Sequence, residues 1–420
     1  MKSALILTVG TTAEPLRRAL EEVSDLTRPI VVFLVYGRPL PGQHPDPFQV
    51  AMDITACAQA MELEVRPREI SDPEDLDECL RVLRRVVVEA ASAERIIINL
   101  TGGTKPMAGA LVHAALSEGV SGNVEFHYVG GQLRDQNGRV IREAMSVRRS
   151  PRTATQSRIE QVVTALRGHR YELAAETASR LPDTGRPGFL KAAAQACLCW
   201  DEFQYERAEQ ILRLINQQAK VLTDDYELGA LAETLLRLRR LADHFVAATR
   251  SLRSLQNKGP EEIGGERITY LCADVLENAA RRLASGAYIE AVLRSYRAVE
   301  TAIQAQLLEA GINPWRPQWE ALSSRAVQII SERLGKLPNE LALYTGLVAL
   351  EAVSGQRLDG TQRQRLRDLQ RTRNHSMLEH GYEFCDEEDA RRCLGIAQEL
   401  TERLLDISLE PLRQEVRLKA

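Results

Sequence analysis

Aromatic residues make up only 5% of this 420-residue chain, so broad platforms for stacking nucleobases are scarce. Nor is there a surplus of positive charge: the net charge of −4 excludes a protein that coats nucleic acid by bulk electrostatics, and any such contact must be local. No apolar run approaches the roughly 20 residues that a membrane-spanning helix needs. Residues 3–9 are too short for a signal-peptide core and lack a small-residue cleavage site behind them, so a cytoplasmic location is expected. Of the seven cysteines only Cys197 and Cys199 stand close, without the spacing of a zinc site, and free buried thiols are expected. His44, His113, His127, His169 and His244 are scattered, with no His-Glu-x-x-His pattern, and no metal is implied.

Apolar pattern dominates what is present. Residues 3–9 and 30–36 are Val-, Ile- and Leu-rich runs of strand length that each end at a glycine, Gly10 and Gly37, as buried parallel strands do. Helical spacing fills the stretches between: Leu16, Leu20 and Val23, then Val50, Ile54, Ala58 and Met61. A third strand is expected over 63–70. Ser71 to Glu74 has the form of a capping box and predicts a helix from there to about Ala91. A fourth strand over 95–100 runs into Thr101-Gly102-Gly103-Thr104-Lys105-Pro106, followed by a small-residue helix. Residues 123–129 predict a fifth strand, and Asp135 to Gly138 a hairpin turn. Such alternation implies an α/β Rossmann-like domain whose ligand binds at the carboxyl ends of the strands.

Two loops should open on that edge, Gly10-Thr11-Thr12 after the first strand and Thr101 to Lys105 after the fourth, and they are candidates for one pocket. Gly102 and Gly103 allow close backbone approach, the next helix offers free N–H groups, and Lys105 adds a charge, which together suit an anion. A plain strand-to-helix turn is the competing reading. The loop is not a Walker A motif, and no Gly-x-Gly-x-x-Gly follows the first strand, so ATP hydrolysis and ordinary NAD chemistry both lose support.

Near the other end stands Arg371-Thr372-Arg373-Asn374-His375-Ser376-Met377-Leu378-Glu379-His380-Gly381. The stretch is expected to be helical, so that Arg373 and His380, seven apart, share a face, and His375 lies about 140° from His380. A guanidinium that holds a phosphate and an imidazole that moves a proton near neutral pH are what a metal-free ribonuclease requires. The competing reading is a solvated helix face with a glycine C-cap. Arginines 363, 365, 367, 371 and 373 form a basic run into this stretch that could track an RNA backbone or be merely solvated. On 288–307, Arg294, Arg297 and Glu300 line one flank, either as surface ion pairs or beside the site.

The segment Asn99-Leu100-Thr101-Gly102-Gly103-Thr104-Lys105-Pro106-Met107 resembles the signature of CRISPR-associated Rossmann-fold (CARF) domains. Arg373, Asn374, Ser376, His380 and Gly381 resemble the nuclease motif of HEPN domains. The chain is similar, end to end, to the CARF–HEPN ancillary ribonucleases of type III CRISPR systems. That resemblance implies a CARF domain over 1–150, an all-α connector over 151–260 and an all-α HEPN bundle over 261–420. It implies a homodimer whose CARF domains bind a cyclic oligoadenylate activator, cA4 or cA6, through Gly10, Thr11, Thr12, Asn99, Thr101, Gly102, Gly103, Thr104 and Lys105. It further implies that Arg373, Asn374 and His380 cut single-stranded RNA without a metal, leaving a 2′,3′-cyclic phosphate and a 5′-OH, at a composite site on the two-fold axis. His375 is a rival for the imidazole role.

Two other readings stay open. The chain could be a non-catalytic nucleotide-sensing regulator acting through its helical regions, or the CARF domain could itself open the cyclic activator, with Thr11, Thr12 and Lys105 as candidates. Residues 153–256 show helical periodicity with almost no strand signal and no clean repeat. Lys258 to Gly265, glycine-rich with a proline, marks the expected boundary before the last domain.

Overall fold

The computed structural model describes residues 3–24, 30–39, 46–117, 123–130, 146–150, 153–257, 265–355 and 357–419. The hairpin turn expected at Asp135 to Gly138 and most of the Lys258 to Gly265 boundary lie outside them. Two compact units are present, Met1–Gln161 and Val162–Ala420.

The first unit alternates β1 (Ser3–Val9), α1 (Glu14–Ser24), β2 (Ile30–Gly37), α2 (Pro47–Ala60), β3 (Glu64–Ile70), α3 (Leu76–Ala90), β4 (Arg95–Asn99), α4 (Lys105–Ser117), β5 (Asn123–Gly130) and β6 (Ser146–Ser150). These strands form one sheet in the order β3-β2-β1-β4-β5-β6, parallel throughout except for antiparallel β6. Successive side chains of a strand point to opposite faces, and here both faces are apolar. Ala4 and Ile6 of β1, Val31, Phe33 and Val35 of β2 and Ile96 and Ile98 of β4 pack with α3 and α4 through Leu83, Val86, Met107 and Leu111. Leu5, Leu7, Val32, Leu34 and Ile97 face the other way, onto Leu16 and Leu20 of α1 and Val50 and Ile54 of α2. With α1 on one side and α4 on the other, the loops that leave β1 and β4 part company, which opens a crevice at the switch point between these adjacent strands.

One expected helix start is corrected. α3 begins at Leu76 with Asp75 as N-cap, its carboxylate accepting from the Asp77 N–H at 2.9 Å, so Ser71 to Glu74 is not a capping box. Glu78 explains the shift: its carboxylate accepts the N–H groups of Ser71 and Asp72 at 2.9 and 3.2 Å and holds that stretch outside the helix.

The second unit is helical among its described residues: α5 (Thr153–Arg167, begun in the first unit), α6 (Tyr171–Ser179), α7 (Gly185–Asp201), α8 (Tyr205–Val221), α9 (Gly229–Asn257), α10 (Gly265–Ala284), α11 (Tyr288–Glu309), α12 (Ser324–Leu334), α13 (Leu343–Ser354), α14 (Gly360–His375), α15 (Glu387–Leu405) and α16 (Glu410–Val416). A buried polar network fastens α7 and α8 to α10. Trp200 Nε1 and the Tyr205 hydroxyl donate to the two oxygens of Asp274 at 2.9 and 2.7 Å. Asp201 accepts from Arg281 Nε at 2.8 Å, Arg282 at 2.5 Å and Asn278 at 3.0 Å. Burial pushes the Asp274 carboxyl up to about 6.

Candidate functional site

In the first unit, Gly10, Thr11, Thr12, Thr101, Gly102 and Gly103 line one cavity of about 260 Å³ at the switch point, with Pro15, Leu16, Tyr128 and Val129. The loop geometry needs its glycines. A Cβ on Gly102 would collide with the Thr8 carbonyl, one on Gly10 would stand 3.0 Å from the Gly103 nitrogen, and Gly103 has φ +81°. Thr8, fully buried, donates its hydroxyl to the Gly102 carbonyl at 2.6 Å, and the Val129 N–H donates to Thr101 Oγ1 at 2.8 Å, so both loop ends are pinned to the sheet.

Three expected residues stand outside the lining. Asn99 is buried and accepts the Thr101 N–H at 2.9 Å, while its Nδ2 has no hydrogen-bond partner among the described residues. Thr104 donates to the Pro73 carbonyl at 2.5 Å and caps α4 by accepting from the Met107 N–H at 3.4 Å. Lys105 is exposed at the start of α4. Tyr128 went unread in the sequence: its ring stands beside Gly130, where a Cβ would strike it, and its exposed face turns an aromatic surface to the cavity. The signal available was its place at the carboxyl end of β5, where it is exposed although its neighbours Val124 to His127 and Val129 are buried.

In the second unit the expectation that Arg373 and His380 share one helical face is overturned. α14 stops at His375, Ser376 is extended at φ −68° and ψ 152°, and His380 lies in the following turn. The Ser376 hydroxyl accounts for the stop by donating to the Arg373 carbonyl at 2.8 Å, beside the Ser376 N–H at 3.2 Å. The loop then folds back on the helix end: the His380 N–H donates to the Asn374 carbonyl at 3.3 Å, the Gly381 N–H to Ser376 at 3.3 Å and the Glu383 N–H to His375 at 2.8 Å. Gly381 packs on His375 so closely that a Cβ would collide with the His375 carbonyl. The fold-back, not a helix face, thus ties His380 to Asn374.

Arg373 is held from three sides. Nη1 donates to Asn374 Oδ1 at 2.9 Å, Nη2 pairs with Glu379 at 2.7 Å, and the guanidinium lies 4.9 Å from the ring centroid of Tyr296 on α11. Burial and the nearby Glu300 raise the Tyr296 hydroxyl pKa, which keeps it protonated. His375 Nδ1 is engaged by Glu383 at 3.0 Å, whereas the His380 side chain is exposed. Glu379 and Tyr296 carried no signal in the sequence, since their contact with Arg373 depends on the loop and on a distant helix.

The arginine run is largely spoken for. Arg363 pairs with buried Glu351 at 2.5 Å, Arg365 with Glu399, and Arg367 bonds Gln364 at 2.6 Å, so the first part of the run braces the bundle. On α11, Arg294 pairs with Glu290 at 2.9 Å and Arg297 with Glu300.

Residues 261–404 match the family model of the Csm6 HEPN domain. A search of curated proteins gave no match. Among solved structures, the chain is similar to Enterococcus italicus Csm6 bound to cyclic hexa-2′-fluoro-hexa-dAMP, at 14% identity and a TM-score of 0.43, over 99% of each chain. The matched span contains α11, α14 and the loop with His380, and none of the described helices is long and apolar enough to cross a membrane. Over residues 261–404 the chain is thus similar to the Csm6 HEPN domain, and this span follows a Rossmann-like α/β unit in the sequence.

Proposed function

We propose that the chain is a cytoplasmic, cyclic-oligoadenylate-activated endoribonuclease that cuts single-stranded RNA as a homodimer, with residues 1–150 as sensor, 151–260 as connector and 261–420 as nuclease. The observation that carries this is the cluster of Arg373, Asn374 and His380 at one helix end inside the span that matches a HEPN family, whose members are generally endoribonucleases. In the proposed reaction a ribose 2′-OH attacks the adjacent phosphate, and the 5′ oxygen leaves with a proton, giving a 2′,3′-cyclic phosphate and a 5′-OH. Arg373 stabilises the charge that builds on the phosphate once that phosphate displaces Glu379 from Nη2. His380 moves the proton at the 2′-OH or the 5′ oxygen, and Asn374 orients the guanidinium through its Oδ1. All three groups act without a metal.

Dimerisation belongs to the same reading. Each protomer has one such cluster, and the loop with His380 exposes Met377, Leu378, Tyr382 and Phe384, an apolar surface that a second protomer would cover. The sensor cavity of about 260 Å³ is too small to enclose a ring of four or six nucleotides, which fits a ring shared across a two-fold axis. Thr11, Thr12 and the glycine N–H groups would meet its phosphates and Tyr128 an adenine face, and Lys105 at the start of α4 adds long-range attraction. Chromatography of RNA and ring after incubation tests the chemistry: RNA ending in a 2′,3′-cyclic phosphate is expected, and 3′-phosphate-free ends with a 5′-phosphate would contradict it. A ring opened by the His380→Ala variant would assign a second activity to the α/β unit, with Thr11, Thr12 and Lys105 as candidates, and an intact ring would make that unit a pure sensor.

A further inference from the structure

A second cavity, of about 570 Å³, lies within the helical unit and plays no part in the reaction above. Five cationic side chains line it, those of Arg167, Arg281, Arg413, Arg417 and Lys419, against the single carboxylate of Glu277. Glu277 is already bonded by Arg413 at 2.8 Å and by Arg417 at 3.0 Å, so it offers little to a further cation. Asp201 and Asp274 behind Arg281 and Glu410 beside Arg413 and Arg417 bring the carboxylates to four against the five cations.

Arg281 is the informative member. Its side chain is 4% exposed, and Nε is taken by Asp201 at 2.8 Å, yet Nη1 and Nη2 are buried with no hydrogen-bond partner among the described residues. A guanidinium so placed asks for acceptor oxygens in its fork. The second observation is His169. It follows the end of α5 with φ +55°, in the position that glycine usually takes, because the Arg170 N–H closes the helix end on the Ala165 carbonyl at 2.9 Å. Its side chain lines the cavity, and Nδ1 lies 2.9 Å from the Tyr171 hydroxyl. From the cavity wall its imidazole is placed to bond a ligand oxygen.

We propose that this cavity binds a phosphorylated, nucleotide-sized small molecule, whose oxyanion is drawn to the guanidinium of Arg281, where Nη2 has Asp274 at 3.9 Å and Nη1 has no hydrogen-bond partner among the described residues. The volume exceeds what one oxyanion needs and falls in the range of small-molecule sites, and Leu166, Ala230, Ala280 and Leu418 supply an apolar wall for an attached ring. Arg167 and Lys419, both exposed, stand at the rim to draw the anion in. The site is distinct from the glycine-lined cavity of the α/β unit and does not depend on the ribonuclease reading.

Photolabelling of the full chain with 8-azido-AMP, mapped by peptide mass spectrometry, tests this together with calorimetric titration of AMP. Label is expected within residues 162–169 or 413–419. The double variant Arg167→Glu, Lys419→Glu should weaken AMP at least tenfold. His169→Gly should weaken it several-fold with a melting temperature at or above the parent's, since glycine relieves the left-handed backbone. Label confined to the α/β unit, no label at all, or parental affinity in both variants would overturn the proposal.

Discussion

At the residue scale, the arrangement assigns unequal roles to two histidines five positions apart. His375 is tied to Glu383 through both its ring and its carbonyl, whereas the exposed His380 bonds the Asn374 carbonyl through its backbone N–H. His380→Ala should therefore lower kcat for RNA cleavage by about 10²-fold or more, the usual worth of a general acid or base, and His375→Ala by only a few-fold. Equal losses in single-turnover assays would remove the distinction. Gly381→Ala should behave like a loss of His380, because a Cβ there pushes the loop off His375 while leaving the bundle intact by circular dichroism. Tyr296 separates ring from hydroxyl: Tyr296→Phe keeps the cation–π contact with Arg373 and should stay near parental activity, while Tyr296→Leu, worth about 1 kcal/mol of that contact, should raise KM for RNA. Much of this chemistry could be read from residue types, but its geometry could not. Helical periodicity put Arg373 and His380 on one face, and it failed because the Ser376 hydroxyl competes for the Arg373 carbonyl and ends the helix before His380.

At the scale of elements, legibility followed burial. β1, β2 and β4 were plain in the sequence because both faces of the sheet are covered, which turns alternation into unbroken apolar runs. The start of α3 was misread because two acidic-cap patterns stand four residues apart, and Glu78 decides between them by bonding Ser71 and Asp72. The network around Asp201 and Asp274 was not legible at all, since its members come from α7, α8 and α10. It makes two predictions. Asp201→Ala strands the buried Arg281 and should cost about 3–5 kcal/mol in denaturant unfolding, whereas a loss below 1 kcal/mol would mean that the pair contributes little. Asp274 has a folded pKa of about 6, above its ordinary 3.8, so the folded state holds the proton more tightly. Its contribution is then present at low pH and falls as pH rises from about 4 to 6, by roughly 3 kcal/mol. In calorimetry over that window the stability of the parent relative to Asp274→Asn should fall as pH rises, and parallel curves would contradict the assignment.

At the scale of the whole molecule, one chain joins a switch-point cavity lined by glycine and threonine to a helical unit with an arginine held by Asn374 and Glu379 and an exposed imidazole. The order of the two units was legible because each carries a short motif whose residues are demanded by close contacts, Gly102 on Thr8 and Gly381 on His375. Coupling between them requires that the ligand bind one state of the chain more tightly than another. The most direct measurement is cleavage of a fluorogenic single-stranded RNA in the presence of EDTA, with cA4, with cA6 and with neither, by the parent and by His380→Ala. The account predicts cleavage by the parent with one ring only and none by the variant with either. Cleavage that ignores both rings, or that survives in His380→Ala, would contradict it.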